Sequence, residues 1–524
     1  MPVLIGLALV IGLLAGASLD GVVPGVEWHK NTKTEISAGA ELDEIFRYID
    51  FKYVDQLDLD SLGERTLKSL LRDLDPHSTY ISPEELQEYN EQSEGRYRGI
   101  GVEFAIIDDT VRVVGLVDGD TPARSAGMKT GDRILTVDGR KVSGSDLPAD
   151  TVTAILRGQM EDHMADLEIL AFPENRLKQL SVKRSEITVK SVVSSYMLTD
   201  EIAYIRLDKF TLSSYREFME ALESLFTTND NANDLVLDLR GNPGGYLDEA
   251  VKIASQFFKE KGRMIVFTEG ENAEKKEYKT PGKVFFDIDK VVVLMDHNSA
   301  SGSEVVAGAV QDWDRGLILG ERSFGKGLVQ EQYGLSNGGA VRLTTARYFT
   351  PAGRLIQKPY KIAKTEPANS TEDSLVRNDS NEFVTLVKKR SVFGGMGIQP
   401  DIFIPQAPVI PFHMISEVQN LIFEAYVDKY DMIGGAGNRE DLEESLSNDP
   451  VNWLARFDNE MNSWFKKLID QDKMSVLRQL DAELIRLLYG EKGKWRYLND
   501  EDATIDQAIN MLQSSDPFRF SSIK

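Results

Sequence analysis

Cysteine is absent from this chain of 524 residues. The absence excludes thiol nucleophiles, disulfide bonds and cysteine-based zinc sites, although it does not fix the compartment in which the protein works. Histidine is scarce, with five residues, and no two of them are spaced as an H-x-x-x-H metal-binding pair. The sequence therefore argues against a catalytic metal.

Basic residues are also fewer than acidic residues. The chain has 60 lysines and arginines against 84 acidic residues, which gives a formal net charge of −24. Such a surface repels the phosphates of nucleic acids and offers no polybasic patch for anionic lipids. We therefore exclude nucleic acid as a partner and interpret the charge mainly as a source of solubility.

An almost wholly apolar run occupies residues 1–19, and the first basic residue after it is Lys30. A run of roughly this length suits a single membrane span or the core of a signal peptide, and Ala15-Gly16-Ala17 resembles a cleavage site. No basic segment precedes the run, and a buried helix is the alternative. We expect residues 1–20 to be a signal peptide or membrane anchor. The protein is then extracytoplasmic, either periplasmic or anchored in a membrane and facing the periplasm.

The amino-terminal half contains two segments with different sequence patterns. A chain of 524 residues is too long for one core and predicts roughly three or four domains. Helical, amphipathic spacing fills residues 37–94, where Ser82 followed by proline is typical of a helix start. Residues 95–187 consist of short strands and turns, including a strand at 133–137 and the turn dipeptide Asp138-Gly139.

The carboxyl-terminal half begins with strands that alternate with helices over residues 188–405. Such alternation predicts an α/β layered core with a largely parallel sheet. Residues 406–524 are mainly helical, and one helix there carries an apolar stripe typical of packing rather than catalysis. The stripe consists of Leu477, Leu480, Leu484, Leu487 and Leu488. The sequence therefore predicts a multidomain α/β protein.

Three serines, at positions 299, 301 and 303, follow an apolar run that begins at Val291 and predicts a buried strand. Ser301 is expected at the head of the next helix, where unsatisfied backbone N–H groups suit the oxyanion formed when serine attacks a carbonyl. Gly302 leaves its own N–H group accessible. Serine is also a favoured helix cap, so the cluster alone is equally consistent with capping.

A lone lysine, Lys326, lies between Gly325 and Gly327. A solvated lysine has a pKa of about 10.4 and cannot act as a base at neutral pH. Burial lowers that pKa by as much as about 3–5 units, so a buried Lys326 could deprotonate a serine. Gln330 shares the face of Lys326 if the segment is a strand, and its amide could then orient the amine. An exposed turn lysine is the alternative.

A glycine-rich turn at residues 241–245 follows a predicted strand that ends at Leu239. The Gly244-Gly245 pair allows a backbone N–H group to point into the site as a second oxyanion donor. A simple strand-to-helix turn is the alternative.

Two better-known patterns compete with this interpretation. Residues 334–338 match G-x-S-x-G, but a nucleophile elbow requires a strand before it and a helix after it. A predicted strand follows here, so we interpret the segment as a hairpin turn. His297 lies four residues before Ser301 and suggests a Ser-His-Asp triad, although no partner acid is obvious from the sequence.

The order and spacing of these segments resemble the carboxyl-terminal processing peptidases, also called tail-specific proteases. The resemblance covers roughly residues 38–405, with glycine at position 302 where alanine is more usual. The segments that carry it are residues 74–80, 237–245, 299–304, 324–330, 343–354 and 397–401.

The resemblance implies a serine endopeptidase that cleaves proteins near their C-termini through an acyl-enzyme. Ser301 would be the nucleophile, Lys326 the general base and Gln330 its orienting partner. The N–H groups of Gly245 and Gly302 would form the oxyanion hole. The implied architecture is an α/β core of the ClpP/crotonase type with an inserted PDZ domain and helical terminal domains. No metal or organic cofactor is implied.

Residues 98–104 resemble the carboxylate-binding loop of a PDZ domain, where a peptide tail adds as a strand to the sheet edge. The expected partners are therefore proteins or peptides with free C-terminal tails. A glycine-rich hairpin is the alternative interpretation. The residues expected to bind the tail are Gly99, Ile100, Gly101, Val102 and Phe104.

Two questions stay open at this point. The alternative function is a catalytically inactive, PDZ-containing binding or scaffold protein with a protease-like fold, although the intact serine, lysine and glutamine argue against it. Residues 406–524 match none of the family motifs. They could form a homodimer, cage the site or dock an adaptor, and the sequence does not choose among these roles.

Overall fold

The computed structural model describes residues 38–159, 163–359, 381–408, 410–429 and 451–520. The described residues divide into two compact units, with the boundary between Ser69 and Leu70. The first unit contains helix α1 (Ala38–Lys52) and most of helix α2 (Leu59–Arg72). The predicted signal peptide or anchor, residues 1–20, lies outside the described residues. Within the described ranges, no helix is both long and apolar enough to cross a membrane.

The second unit opens with a short strand and a capped helix, β1 (Thr79–Ile81) and α3 (Pro83–Glu94). The predicted helix start at Ser82 is confirmed. The Ser82 hydroxyl accepts a hydrogen bond from the Glu85 N–H group, while the Glu85 carboxylate accepts one from the Ser82 N–H group. Gly95 ends the helix in the left-handed conformation, at φ 73°.

A small antiparallel domain follows, with the strand order β3-β4-β5-β7-β8 and β6 paired to β5. Strands β2 and β9 pair with each other where the chain enters and leaves it. The predicted turn at Asp138-Gly139 joins β5 to β6, and both residues have positive φ, 50° and 73°. The elements are β2 (Arg96–Gly99), β3 (Val102–Ile107), β4 (Thr110–Leu116), α4 (Pro122–Ser125), β5 (Arg133–Val137), β6 (Arg140–Lys141), α5 (Ala149–Arg157), β7 (Met164–Ala171), β8 (Arg176–Lys183) and β9 (Ser185–Thr188).

The central domain is built on a six-stranded sheet with the order β10-β11-β12-β15-β16-β21. All its pairs are parallel except β10 with β11. Every residue of β11, β12 and β15 is buried, as expected for parallel strands covered on both faces. The sheet strands are β10 (Val192–Met197), β11 (Ile202–Leu207), β12 (Asp234–Asp238), β15 (Val291–Met295), β16 (Gly316–Gly320) and β21 (Ile402–Phe403).

Three helices and a second sheet complete the central domain. Helices α6 (Ser214–Thr228), α7 (Leu247–Ser255) and α8 (Gly302–Asp312) pack against the parallel sheet. In the second sheet β18 pairs with β1, β13 and β17, all antiparallel. The remaining strands are β13 (Met264–Gly270), β14 (Ala273–Lys279), β17 (Leu328–Gly334), β18 (Ala340–Phe349), β19 (Glu382–Val384) and β20 (Ser391–Phe393).

The carboxyl-terminal segment is helical, as predicted, and it packs against both preceding domains. One apolar cluster joins helices α9 and α11 to β3 and β4 of the small domain. A second cluster places α12 against the parallel sheet, on residues that include Tyr204 and Val292. The helices are α9 (Ile415–Asp428), α10 (Asn459–Phe465), α11 (Asp470–Asn499, interrupted at Gly490) and α12 (Ala503–Gln513). The predicted multidomain α/β class is confirmed.

Candidate active site

The predicted catalytic segments meet at one edge of the parallel sheet. The glycine-rich turn follows β12, the serine turn follows β15, and the lysine segment follows β16. These three strands are neighbours in the sheet and run in the same direction. Their carboxyl ends therefore lie side by side, the usual place for a site in a parallel α/β sheet.

The serine turn separates its three hydroxyl groups into different roles. Ser299 is buried and donates to the Leu239 carbonyl at 2.8 Å, and Ser303 is buried and donates to the Asn242 carbonyl at 2.9 Å. The Ser301 hydroxyl donates to no acceptor among the described residues. Ser301 also has φ 52° and ψ −110°, a backbone conformation that a side chain makes costly. The turn thus presents Ser301 while the other two serines hold its shape.

The glycine-rich turn packs directly on the serine turn. A Cβ atom added to Gly244 would lie 2.6 Å from the Ser301 Cβ and 2.8 Å from the Gly302 nitrogen, so only glycine fits. The carbonyl of Asn242 also accepts a hydrogen bond from the Ala300 N–H group at 2.9 Å. The Asn242 amide in turn donates to the Leu207 carbonyl at 2.7 Å. The two turns therefore form one rigid unit.

Two backbone N–H groups in the adjoining glycine-rich and serine turns have no acceptor among the described residues. Gly302 is the first residue of α8, where the N–H group has no acceptor within the helix. Gly245 has φ 143°, and the N–H groups of Gly245 and Gly302 donate to no acceptor among the described residues. Phe210 fixes the turn from the other side, because its N–H group donates to Gly244 and its carbonyl accepts from Tyr246, both at 2.9 Å. Both predicted oxyanion donors thus lack an acceptor in the part of the chain that the structure describes.

Lys326 is half-buried, so it is not the exposed turn lysine of the alternative interpretation. Burial lowers the pKa of its ammonium group, and the charges of Glu304 and Asp75 offset this only in part. The Nζ atom makes no hydrogen bond or ion pair with the residues that the structure describes, and none joins it to Ser301 Oγ. Catalytic hydrogen bonds are often long before substrate binds.

The buried carboxylate of Glu304 holds the serine and lysine segments together. Its Oε2 atom accepts from the N–H groups of Ser301 and Lys326, at 2.8 and 2.9 Å. Its Oε1 atom accepts from the Ser323 hydroxyl at 2.5 Å and from the Gly325 N–H group at 2.8 Å. Burial raises the pKa of Glu304 above its usual value, and these hydrogen bonds offset the rise only in part. The three N–H groups must donate, so both carboxyl oxygens act as acceptors here.

The hydroxyl group of Tyr348 contacts the backbone carbonyl groups of the same two residues, Ser301 and Lys326. Its hydroxyl lies 3.1 Å from the Ser301 carbonyl oxygen and also contacts the carbonyl oxygen of Lys326. The side chain is 2% exposed, and burial raises the pKa of the phenol far above its usual value. Glu304 and Tyr348 thus fix the backbones of Ser301 and Lys326 relative to each other.

Sequence patterns gave Glu304 and Tyr348 no role, although both lie in segments that carried the family resemblance. Ser301-Gly302-Ser303-Glu304 fits the S-x-x-E capping box, the local signal from which the contact between Ser301 and Glu304 could have been predicted. The contact with Lys326 is long-range, and no local pattern shows it.

The amide of Gln330 is used elsewhere in this structure. Its Nε2 atom donates to the His77 carbonyl at 2.8 Å, and its Oε1 atom accepts from Arg342. Strand β17 begins at Leu328, after Lys326, and has a bulge before Gln330. The strand alternation that would put Gln330 and Lys326 on one face therefore does not extend back to the lysine. The role of Gln330 as orienting partner stays a prediction.

Comparison with known proteins identifies the family. A model for peptidase family S41 matches residues 201–367, and a model for the PDZ domain matches residues 99–170. A carboxy-terminal-processing protease of Bartonella bacilliformis is 33% identical over 350 residues, which cover 66% of this chain and 79% of the relative. The chain belongs to the carboxy-terminal-processing protease family.

Two further proteins are similar over most of the chain. A probable CtpA-like serine protease of Staphylococcus haemolyticus is 28% identical over 488 residues, which cover 92% of this chain and 86% of the relative. The solved structure of the photosystem II D1 C-terminal processing protease is 26% identical, covers 72% of this chain and 90% of that one, and has a TM-score of 0.36.

The protein is therefore a serine peptidase with a PDZ domain, and its substrates are proteins. This family membership confirms the predicted enzyme class. It supports the peptidase and not the alternative of an inactive scaffold.

In this carboxy-terminal-processing protease the two competing motifs serve other purposes. Gly334 ends β17 and pairs with Ala340 of the antiparallel strand β18. The rest of the motif at residues 334–338 lies in the turn between them, so the predicted hairpin is confirmed. The ring nitrogens of His297 contact Glu321 at 3.0 Å and Asn298 at 3.2 Å. Neither nitrogen is hydrogen-bonded to Ser301, which leaves no triad among the described residues.

The PDZ residues of this carboxy-terminal-processing protease surround a tight loop between β2 and β3. The predicted tail-binding residues there are Gly99, Ile100, Gly101, Val102 and Phe104. Gly101 has φ 82°, and a Cβ atom at this position would lie 2.6 Å from the Thr121 Cβ. Strand β3, which starts at Val102, is an edge strand of its sheet, as strand addition requires. Tail binding itself stays a prediction.

Proposed function

We propose that this peptidase cleaves proteins near their C-termini through an acyl-enzyme, with Ser301 as nucleophile and Lys326 as general base. One observation carries the proposal. Glu304 and Tyr348 hold the backbones of Ser301 and Lys326 together. Among the described residues, the Ser301 hydroxyl donates to no acceptor and the Lys326 amine makes no hydrogen bond. A nucleophile and a base that are fixed relative to each other, with the base half-buried, are what serine hydrolysis requires.

The proposed reaction begins with neutral Lys326. Its amine takes the proton of the Ser301 hydroxyl as Oγ attacks the carbonyl carbon of the scissile peptide bond. The oxyanion forms next to the N–H groups of Gly302 and Gly245, which stabilise its charge. The tetrahedral intermediate then expels the amine of the leaving peptide, which takes the proton from Lys326.

The second half of the reaction releases the acyl group. A water molecule gives a proton to Lys326 and attacks the ester, and the collapse of the second intermediate returns the proton to Ser301 Oγ. The chemistry is complete with these two side chains and two backbone donors. In this scheme we assign Gln330 the orientation of the Lys326 amine, which requires its amide to leave His77 and Arg342 during the cycle.

Substrate choice and location complete the proposal. The PDZ loop at residues 98–104 is proposed to bind the free C-terminal tail of the substrate, since β3 is an edge strand that can accept another strand. The apolar run at residues 1–19 is proposed to export the protein or to tether it to a membrane, with the enzyme outside the cytoplasm in the periplasm. We also propose that the protein forms a homodimer.

The direct test is cleavage of an unfolded protein that ends in an apolar tail. The wild-type protein should shorten it from the C-terminal side, and Ser301→Ala should leave it intact while still binding a tail peptide. Product masses locate the cleavage sites, and sedimentation reports the oligomeric state. Cleavage by Ser301→Ala at the wild-type rate would contradict the proposal.

A further inference from the structure

The residues just before the oxyanion turn form a buried ionic cluster. The side chain of Arg240 donates from Nε to Asp238 Oδ1 at 3.0 Å and from Nη2 to Asp238 Oδ2 at 2.7 Å. Arg206 Nη2 donates to the Arg240 carbonyl oxygen at 2.7 Å. That carbonyl belongs to the peptide bond between Arg240 and Gly241. The cluster therefore fixes the point at which the turn to Gly245 starts.

The cluster holds more positive than negative charge at its centre. The Asp238 carboxylate is fully buried and also accepts from Arg206 Nη1 at 2.9 Å, so two guanidinium groups share it. Burial opposes ionisation of Asp238, but Arg240 and Arg206 hold the pKa of that carboxyl well below its usual range. Arg206 has a second carboxylate at the surface, Asp208, at 3.1 Å. Arg240 needs a second anion as well, because a buried unpaired charge is costly.

The carboxyl-terminal segment supplies that anion. Asp502, which caps helix α12, accepts from Arg240 Nη1 at 2.6 Å. From the end of α11, the ring of Trp495 lies 3.5 Å from the guanidinium carbon of Arg206. Both arginines beneath the oxyanion turn are therefore covered by one segment, and Asp502 is the partner that the structure gives to Arg240 Nη1.

We propose that Asp502 is a positioning residue for catalysis, which holds Arg240, and through it the Gly241–Gly245 turn, in the geometry that aims the Gly245 N–H group at the oxyanion. The inference rests on the proposed function, because it assigns the oxyanion to that N–H group. It gives the carboxyl-terminal segment a role that is distinct from dimerisation, caging or adaptor docking.

The oxyanion forms only during the reaction and not in the bound substrate. Weaker stabilisation of the oxyanion should therefore lower kcat and leave KM almost unchanged. In the full-length protein, Asp502→Asn keeps the shape of the side chain and removes its charge. We expect kcat for the unfolded, apolar-tailed substrate to fall about 10- to 100-fold, with KM changed by less than about twofold. Labelling of Ser301 by a fluorophosphonate probe should slow by the same factor, because its transition state also uses the oxyanion hole.

The matched control is Asp506→Asn, which removes the same charge from an exposed position on the same helix and should keep wild-type kinetics. Thermal unfolding shows whether each variant is folded. A folded Asp502→Asn variant with wild-type kcat and labelling rate would overturn the proposal. So would a loss of kcat without slower labelling.

Asp502→Glu covers the case in which Asp502→Asn does not fold. It retains the charge but shifts the carboxylate by one methylene, so labelling should slow by about three- to tenfold. A wild-type labelling rate in Asp502→Glu, with Asp502→Asn unfolded, would contradict the proposal. A wild-type protein that is neither labelled at Ser301 nor able to cleave contradicts the proposed function instead.

Discussion

At the scale of single residues, the central question is how a lysine can act as a base. The enclosure of Lys326 lowers the pKa of its ammonium group, since the charged form loses hydration that protein groups replace only in part. Glu304 is near enough to raise that pKa again, but its carboxylate oxygens are occupied by four donors. Half-buried Lys326 is thus free to serve as the proposed base, while the buried carboxylate of Glu304 holds the backbone around it.

The enclosed lysine predicts a specific dependence of stability on pH. The folded protein releases the Lys326 proton at a lower pH than the unfolded chain, whose lysine pKa is about 10.4. The charged lysine therefore costs stability at neutral pH, and the cost disappears as pH rises from the folded to the unfolded pKa. Lys326→Met should be at least as stable as the wild type at neutral pH, and its advantage should shrink as pH rises. Urea unfolding at several pH values measures this. A less stable Met variant at neutral pH would contradict it.

Glu304 predicts a loss of both activity and stability. Glu304→Gln replaces one acceptor oxygen by an amide donor, which faces N–H groups that also donate. Stranding one or two buried N–H groups should cost about 1–3 kcal/mol of unfolding free energy, and the looser dyad should lower kcat about tenfold or more. Chemical unfolding and steady-state kinetics measure the two effects.

Glu331→Gln is the matched control, because the Glu331 side chain is exposed on the neighbouring strand β17. It should leave both quantities unchanged. Equal behaviour of the two variants would show that the Glu304 carboxylate does not hold the site.

At the scale of elements, the site depends on two turns that approach more closely than side chains allow. A Cβ atom at Gly245 would lie 2.0 Å from the Phe210 carbonyl oxygen, and the residue has φ 143°. Gly245→Ala must therefore move the turn and its N–H group, and kcat should fall about 100-fold or more, as when an oxyanion donor is lost. Gly334→Ala is the control, since no atom lies within 4 Å of its added Cβ. Wild-type kcat in Gly245→Ala would remove this turn from the mechanism.

Local sequence patterns predicted the strands, turns and helix of the site, but only some of the contacts between its residues. The strand, serine turn and helix at residues 291–312 follow from a buried apolar run, small residues and serines suited to a helix start. The strand at 133–137 and its Asp138-Gly139 turn follow equally from local chemistry. Periodicity could not show that β17 starts after Lys326, because a glycine on each side of the lysine leaves no alternation to follow. The contacts of Gln330 with His77 and Arg342 were therefore unforeseen.

At the scale of the whole molecule, the carboxyl-terminal segment is part of the enzyme's core and not an appendage. Helix α12 buries Ile505 and Ala508 against the parallel sheet. The salt bridge between Arg486 of α11 and Glu103 of β3, at 2.9 Å, connects the same segment to the PDZ domain. No family motif marks these contacts, because they join residues hundreds of positions apart and depend on the assembled surfaces.

The packing of α12 predicts that the segment stabilises the protease domain. Ile505 is 1% exposed, so Ile505→Ala should lower the free energy of unfolding by about 2–5 kcal/mol. Asn510→Ala, at an exposed position of the same helix, should change it by less than about 0.5 kcal/mol. Chemical unfolding followed by tryptophan fluorescence measures both. Equal stabilities would show that α12 is not part of the core.

The central claim is that Lys326 is the base that activates Ser301, and one measurement tests it most directly. The rate at which a fluorophosphonate labels Ser301 is followed by mass spectrometry from roughly pH 6 to pH 10. In the wild type the rate should rise with pH through an apparent pKa below the ordinary lysine value, because burial favours the neutral amine. Lys326→Met should lose this rise and label at least about a hundredfold more slowly. Labelling of Lys326→Met at the wild-type rate, with the same pH dependence, would contradict the account.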